Sequence, residues 1–266
     1  MRQVRMMICA AMLALMCSVA GVAQGATASA IAELMALREK ARHPETRVRV
    51  EATHRAWAIG LESADAAVKI AALEVLSEPA GSASDHIRMP AVYAMAEIAG
   101  AAKESRVHIR ALELLAAPLR AEQVPIRDVA IDAVNIITAS SNRAETAPAA
   151  VRALAPVVRS GVNGVRIPAI NALVRAVAGS GNEAAYSSAL DLLVEPLNSM
   201  AMIGGMEVRM MAVAAVERIG MEATGTAVKA KAMGLMRSYA GKSGWETEAR
   251  NRASLAATVI ERTLRD

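Results

Sequence analysis

One arginine recurs within the same short phrase along this chain, at Arg49, Arg88, Arg127, Arg166, Arg209 and Arg250. The successive gaps are 39, 39, 39, 43 and 41 residues. An aliphatic residue or alanine precedes each one (Val48, Ile87, Ile126, Val165, Val208, Ala249). Alanine follows three positions later in every copy: Ala52, Ala91, Ala130, Ala169, Ala212 and Ala253. A single globular core gives its elements no reason to repeat at a fixed interval. A period near 40 in a helix-rich composition instead requires stacked helix pairs, each burying a face against the next. Such an array offers extended surface, which points to binding over catalysis.

The composition agrees with helices packed closely. Phenylalanine is absent, and the aromatics are Trp57, Tyr93, Tyr186, Tyr239 and Trp245. Arginine outnumbers lysine 24 to 6. Abundant alanine favours helix and lets neighbouring helices approach. Runs of β-branched residues bounded by turn signals are missing, so strands are not expected.

The first residues differ from the rest. Arg2 and Arg5 are followed by an uncharged, mostly apolar run from Met6 to Ala23, and then by small residues at Ala26-Thr27-Ala28 and Ala28-Ser29-Ala30. This is the layout of an export signal, with residues 1–28 as the cleaved leader and 29–266 as one repeat domain. A retained anchor is the alternative, because 18 apolar residues could just span a bilayer. Gly21 and the small-residue tail favour cleavage and no stable membrane insertion afterwards, and hence a periplasmic or secreted location. Met16 stands before Cys17 where a lipid-attachment site needs a small residue, so no lipid anchor is expected. Both cysteines, Cys9 and Cys17, fall in this leader, which leaves no disulfide framework and no thiolate metal site. Without the leader, 28 cationic residues face 26 acidic ones, a formal +2 that gives no mandate for nucleic acid.

Each repeat divides into two helices, A and B. Helix B carries the arginine phrase and runs on in the six copies to Ile59, Ile98, Ile137, Val177, Ile219 and Ile260. Counting from arginine as zero, position +6 is alanine (Ala94, Ala133, Ala172, Ala215, Ala256) except at Arg55, and +7 is mostly larger (Met95, Val134, Leu173, Val216). Together with +3 these form one apolar stripe at helical spacing. Helix A is leucine-rich: Leu34 and Leu37, Leu73 and Leu76, Leu112 and Leu115, Leu154, Leu190 and Leu193, then Met233 and Met236. The leucine-to-arginine distance runs 15, 15, 15, 12, 19 and 17, so the A-to-B connection is the variable part. Pro79-Ala80-Gly81 and Gly161-Val162-Asn163-Gly164 read as A-to-B turns, and Gly179-Ser180-Gly181-Asn182 as a turn between repeats. Pro90 and Pro168 read as first-turn prolines of helix B.

The phrase aliphatic-Arg-x-x-Ala-x-x-Ala, following a leucine-rich helix at this spacing, resembles the HEAT repeat over residues 29 to 264. The resemblance implies an all-α, right-handed α-solenoid of about six helix pairs, with A helices on the convex side and B helices lining the concave side. It also implies an aspartate before helix B that pairs with the arginine of a neighbouring repeat. The nearest candidates here are Glu45, Asp85, Glu122, Asn163, Glu207 and Glu248 at differing offsets, so a regular ladder is not expected.

No catalytic constellation stands out. His43, His54, His86 and His108 form no H-x-x-x-H pair and have no cysteine partner. Gly241-Lys242-Ser243 echoes a phosphate loop, but Met236 occupies the place of its first glycine. No Gly-x-Ser-x-Gly occurs. Neither an enzyme, a resident metal nor a cofactor is expected. The segment from Met200 to Met211 holds Met200, Met202, Met206, Met210 and Met211; thioethers suit Cu(I), while methionine also fills gaps in a chain without phenylalanine.

The six arginines read as structural, because they keep step with the core stripe. The irregular positions are +5 and +9 of helix B, which share a face. They hold His54, Tyr93, Asp132 and Asn171 at +5, and Glu97, Arg175 and Arg218 at +9. Variation on a fixed scaffold is how solenoids acquire specificity. The expected function is therefore an exported scaffold that binds another protein through this concave seam, with a small-ligand or copper-binding envelope protein as the alternative.

Overall fold

A computed structural model describes residues 25–199, 204–242 and 245–265. Among these there are twelve α-helices, one short 3-10 helix and no strand. The A helices are α1 (25–41), α3 (Ala66–Ala80), α5 (Ser105–Leu114), α7 (Arg143–Val158), α9 (Glu183–Leu197) and α11 (Thr226–Ala240). The B helices are α2 (Thr46–Glu62), α4 (Asp85–Gly100), α6 (Val124–Ser140), α8 (Asn163–Val177), α10 (Gly205–Glu222) and α12 (Thr247–Arg265). Each B helix packs on the next B helix, and from α3 onward each A helix packs on the next A helix. The B layer is the more tightly juxtaposed of the two, as an inner layer of a curved stack must be. The chain is an all-helical solenoid of six pairs.

Small residues set the spacing of that inner layer. All six alanines at +3 are essentially inaccessible, as are the aliphatic residues or alanines preceding the arginines from Ile87 to Ala249. The isoleucine at +10 of one helix packs on the +11 position of the preceding one. A Cβ built on Gly60 would lie 2.6 Å from Ile98 and 2.7 Å from Ala72, and one on Gly220 would lie 2.6 Å from Ile260 and 2.9 Å from Ala232. Glycine is used at these two places because neighbouring helices leave no room for a methyl group. The exception at +6, Arg55, belongs to the first described repeat, and no earlier B helix covers that face among the described residues. It is exposed and pairs with Glu33 of α1 at 2.6 Å. Polar capping of an end repeat is what a one-dimensional stack needs to remain soluble at its ends.

Three sequence expectations need correction. Asn163 and Gly164 are not loop residues but form the first turn of α8, and Pro79 and Ala80 end α3. The B helices begin three residues before the arginine in five copies and four in α10, so Pro90 and Pro168 sit in the second turn. Each therefore removes one backbone hydrogen bond from its helix, to His86 and Gly164 respectively. In the third repeat helix A breaks early: α5 ends at Leu114, and a 3-10 turn over Pro118–Arg120 completes the connection. That makes the α5-to-α6 connection longer than the one from α9 to α10, which the leucine-to-arginine spacing had marked as longest. Residues 1–24, including most of the leader, lie outside the described residues; α1 begins at residue 25, and Thr27 Oγ1 donates to Asp65 Oδ2 at 3.0 Å.

Where one repeat ends and the next begins, helix A caps helix B. The fourth residue of α3 is Lys69, buried, with Nζ donating to the Gly60 carbonyl at the end of α2 at 3.0 Å. The fourth residue of α5 is His108, also buried, whose ring nitrogens face the carbonyls of Ala99 and Ala102 without closing a hydrogen bond of good geometry. A donor at a helix C-terminus meets free carbonyls and the negative end of the helix dipole. In the fifth and sixth repeats the capping runs the other way. The Glu183 carboxylate accepts from the backbone of Thr224 at 2.9 Å and Gly225 at 2.8 Å, where α11 begins.

Replacing Ala130 or Ala169 with leucine should destabilise the protein by about 1–3 kcal/mol through overpacking, since both lie between repeats with neighbours on either side. Unchanged urea midpoints for both variants would show that these alanines do not set the helix spacing. Burial is the larger influence on His108 and holds its pKa below the ordinary value of 6.5, against the nearby carbonyls and Glu104. Above that pH the imidazole is neutral in both states. As pH falls below it, the unfolded chain takes up a proton that the folded chain resists, so stability should decline by up to about 1.4 kcal/mol per pH unit. Urea denaturation at pH 7.5 and 5.5 should show this loss in the wild type and a smaller one in His108→Gln; equal losses would refute the assignment.

Candidate functional site

Four of the six repeated arginines, Arg88, Arg127, Arg166 and Arg209, are inter-repeat ties that reach forward to the following repeat, at or beside its A-to-B connection. Arg88 Nη1 donates to Gln123 Oε1 at 2.9 Å, and Arg127 Nη1 to Ser160 Oγ at 3.1 Å. Arg166 is buried; it reaches Ser199 Oγ at 3.3 Å and Glu195 Oε1 at 3.0 Å, and also the Arg159 carbonyl at 3.2 Å. Arg209 pairs with the Glu246 carboxylate through two nitrogens and donates to the Ser199 carbonyl. Arg49 is tied only within its own first turn, to Thr46 Oγ1 at 3.2 Å. Arg250 belongs to the last described helix, α12, with no described repeat ahead of it. None of the residues singled out from the sequence (Glu45, Asp85, Glu122, Asn163, Glu207, Glu248) is the side-chain acceptor in these ties, although Glu246, immediately before α12, is an acid in such a place. The partners are amide, hydroxyl, carboxylate and carbonyl groups, because the connections differ in length and offer different atoms at the same place.

The irregular seam lies on the opposite side of the same helices. His54, Tyr93, Glu97, Asp132, Asn171, Arg175 and Arg218 are all exposed. They are not evenly spread, since the helices bring them into two groups. Between α2 and α4, a shallow groove of about 200 Å³ is lined by Thr53, His54, Trp57, Pro90, Tyr93 and Glu97. Trp57 Nε1 donates to Glu97 Oε2 at 2.7 Å, which orients the carboxylate beside the indole. Between α8 and α10, a second groove of about 270 Å³ is lined by Asn171, Val174, Arg175, Met211 and Arg218. Arg218 also pairs with Glu222 one turn on at 2.8 Å, whereas Asp132 and Arg175 have no hydrogen-bond or ion-pair partner among the described residues.

Sequence reasoning missed Trp57, Pro90, Met211 and Asp128. Trp57 occupies +8 and Asp128 occupies +1, and both positions fall within a helix face about 100° wide that includes +5 and +9. Asp128 lies one turn before Asp132, with Oδ1 buried and unpartnered. Burial first, and the like charge of Asp132 second, push its carboxyl above the ordinary value, against the pull of Arg127.

The methionine segment divides. Met200 and Met202 lie outside the described residues, as does Ser243 of the loop that echoes a phosphate site. Met210 and Met211 pack against the hydrophobic core, and Met206 is exposed near the start of α10. Among the described residues no three histidine, cysteine, aspartate or glutamate side chains converge, and no helix is long and apolar enough to cross a membrane.

No protein-family model matches the sequence, and no curated relative does. Solved structures do resemble the fold. A designed armadillo repeat protein in complex with the peptide (KR)4 is 22% identical, with a TM-score of 0.50 over 86% of this chain and 99% of that one. A second designed armadillo repeat protein is 19% identical, with a TM-score of 0.47 over 85% and 99%. The archaeal HEAT-like repeats protein from Thermococcus onnurineus NA1 is 14% identical, with a TM-score of 0.45 over 89% and 92%. At these identities the likeness is one of fold alone, that of a helical repeat solenoid.

The arginine ties differ in burial and partners, so their removal should differ in cost. Arg166→Ala should lower the free energy of unfolding by about 1–3 kcal/mol, because it removes a buried guanidinium that donates to Ser199 and Glu195 in the next repeat. Arg49→Ala, tied only to its own helix, should stay within about 0.5 kcal/mol. Equal losses in denaturant titrations of the two variants would show that the forward contacts do not carry the stability.

Proposed function

We propose that this chain is an exported scaffold that holds another protein along the face made by its B helices. One observation carries the reading. In a repeat whose framework positions are buried in copy after copy, the seven irregular side chains are exposed on one layer, and all but Asp132 line two grooves there. A solenoid that served only as a spacer would gain nothing from aromatic, acidic and basic side chains at just those places. The shallow form of the grooves suits a protein surface or segment rather than an enclosed small molecule. The likeness in fold to a designed repeat protein that carries a peptide is consistent with such a role. Export to the periplasm or beyond the cell rests on the leader: two arginines, an apolar run of 18 residues and small residues at the expected cleavage point. The six arginines serve the framework, and the seam serves the partner.

A combined Tyr93→Ala, Asp132→Ala, Arg175→Ala variant should melt close to the wild type, since exposed side chains cost little when removed. It should lose partners that the wild-type protein captures from an envelope extract, while Arg166→Ala should melt earlier and still retain them when folded. If the triple variant keeps every partner and Arg166→Ala loses them without losing stability, the roles of the two sets are reversed. N-terminal sequencing of the native protein should show cleavage near Ala28; an intact Met1 in the membrane fraction would refute export by cleavage.

A further inference from the structure

The two grooves differ in the chemistry they offer, and the difference follows the direction of the stack. Of the chain's five aromatic residues, Tyr186 and Tyr239 are buried, and Trp245 packs edge-on against Tyr239 at 4.9 Å. The remaining two, Trp57 and Tyr93, line the same groove, with the Glu97 carboxylate hydrogen-bonded to the indole between them. One repeat further on, α6 places Asp132 at the position of Tyr93, Asn135 at that of Trp57 and Ile136 at that of Glu97, with Asp128 one turn before Asp132 and no cation among them. An aromatic face beside a carboxylate is a cation site: the ring quadrupole and the charge attract the same guest. Neither the ordinary positive partner of Glu97 nor that of Asp132 is present, and no lysine or arginine lines this groove.

Beyond α6 the sign reverses. Arg175 and Arg218 occupy the same position in successive repeats and line one groove with the Asn171 amide. Glu222 answers Arg218, but Arg175 has no partner among the described residues. Two guanidinium groups that line one groove beside an amide suit a carboxylate, which a guanidinium can meet through paired N–H donors. Three helix spacings separate the grooves, roughly 24–30 Å at 8–10 Å each. An extended chain covers that span in about seven to nine residues.

We infer that the groove takes an extended segment of a partner protein whose two ends carry opposite charges, with a lysine or arginine in the Trp57–Tyr93–Glu97 groove and an aspartate or glutamate between Arg175 and Arg218. This rests on the proposed scaffold role and adds to it the partner's charge pattern and its fixed direction along the stack. Opposed charges at the two ends of a groove reject a segment laid in backwards, because each end then meets its own sign.

The test uses the full chain carrying Trp245→Phe, so that Trp57 is the sole indole, and serine- and glycine-based peptides. One peptide carries two lysines near its start and two glutamates about eight residues later, matching the span of the grooves. A second has the reverse order, a third replaces the glutamates with lysines, and a fourth is uncharged. One of the two bipolar orders should shift Trp57 emission and bind at least tenfold more tightly than the other three peptides. Acetylating its lysines should remove the emission response. Glu97→Gln, which can still accept from Trp57, and Arg175→Ala should each weaken binding about three- to tenfold, as expected for one charged contact of roughly 0.7–1.4 kcal/mol. Thermal melts of these exposed-site variants check that the fold persists. If the all-lysine peptide binds as tightly as the bipolar one and ignores Arg175→Ala, or if no peptide moves Trp57 emission, the inference is overturned. If an uncharged peptide binds equally well and competes at the seam, the charge pattern is wrong while the scaffold role stands. Binding that ignores every seam variant overturns both.

Discussion

Contact between successive B helices at the distance an alanine allows is the constraint on which this structure depends. Each repeat is too thin to bury its own apolar face, so its stability comes from the next repeat as much as from itself. That contact requires small side chains at +3 and +6, and at Gly60 and Gly220 it allows no side chain at all. Larger residues at +7 and +10 then fill the space toward helix A and the preceding helix. Alanine and glycine are poor sources of apolar area, so each interface gains through closeness and repetition rather than through bulk. This accounts for a stable stack in a chain without phenylalanine or disulfides among its described residues.

Tight packing on one side of helix B frees the other. Once the stripe at +3, +6, +7 and +10 fixes the helix, positions +5 and +9 face outward along the inner layer with little duty to the core, while +1 and +8 flank them and in several repeats still pack on it. The outward positions can then differ from repeat to repeat without disturbing the period. The prolines contribute here. Pro90 costs α4 a hydrogen bond in its second turn, yet it lines the groove beside Trp57 and Tyr93. A small loss in helix energy gives a rigid wall without an amide donor of its own, and the interlocked neighbours hold the helix in place.

The fold was legible in the sequence because its requirement is local and periodic. An alanine that must sit between two helices appears at the same offset each time, and six copies leave no second period to choose from. The candidate face was legible as an irregularity against that period, but only at +5 and +9. Trp57 and Asp128 escaped because the outward face is wider than two positions, and because a single tryptophan at +8 among alanine, asparagine, valine, glutamate and threonine has no pattern to announce it. The arginines' acceptors were not legible at all. A search for the nearest acid before helix B finds Glu45, Asp85 and Glu122 at differing offsets, while the structure uses Gln123, Ser160, Ser199 and Glu246, each from a connection of its own length. Loop atoms are set by three-dimensional reach, which a one-dimensional offset does not encode.

Separating framework from face also explains why the charges need not balance within a repeat. On the convex side, ion pairs link neighbouring A helices: Glu78 with Arg38 and Arg42, Glu74 with Arg110, and Asp191 with Lys231. On the inner side, Asp132 and Arg175 carry opposite charges one repeat apart, and neither has a hydrogen-bond or ion-pair partner among the described residues. Exposed pairs contribute little to stability, so leaving them unmade costs the fold almost nothing. An unpaired charge held on a rigid helix is, however, already positioned for a charge that arrives from outside, with no internal contact to break first. The same economy that makes the convex ion pairs dispensable to folding makes the inner charges available for recognition, and the sign change between α6 and α8 gives that recognition a direction.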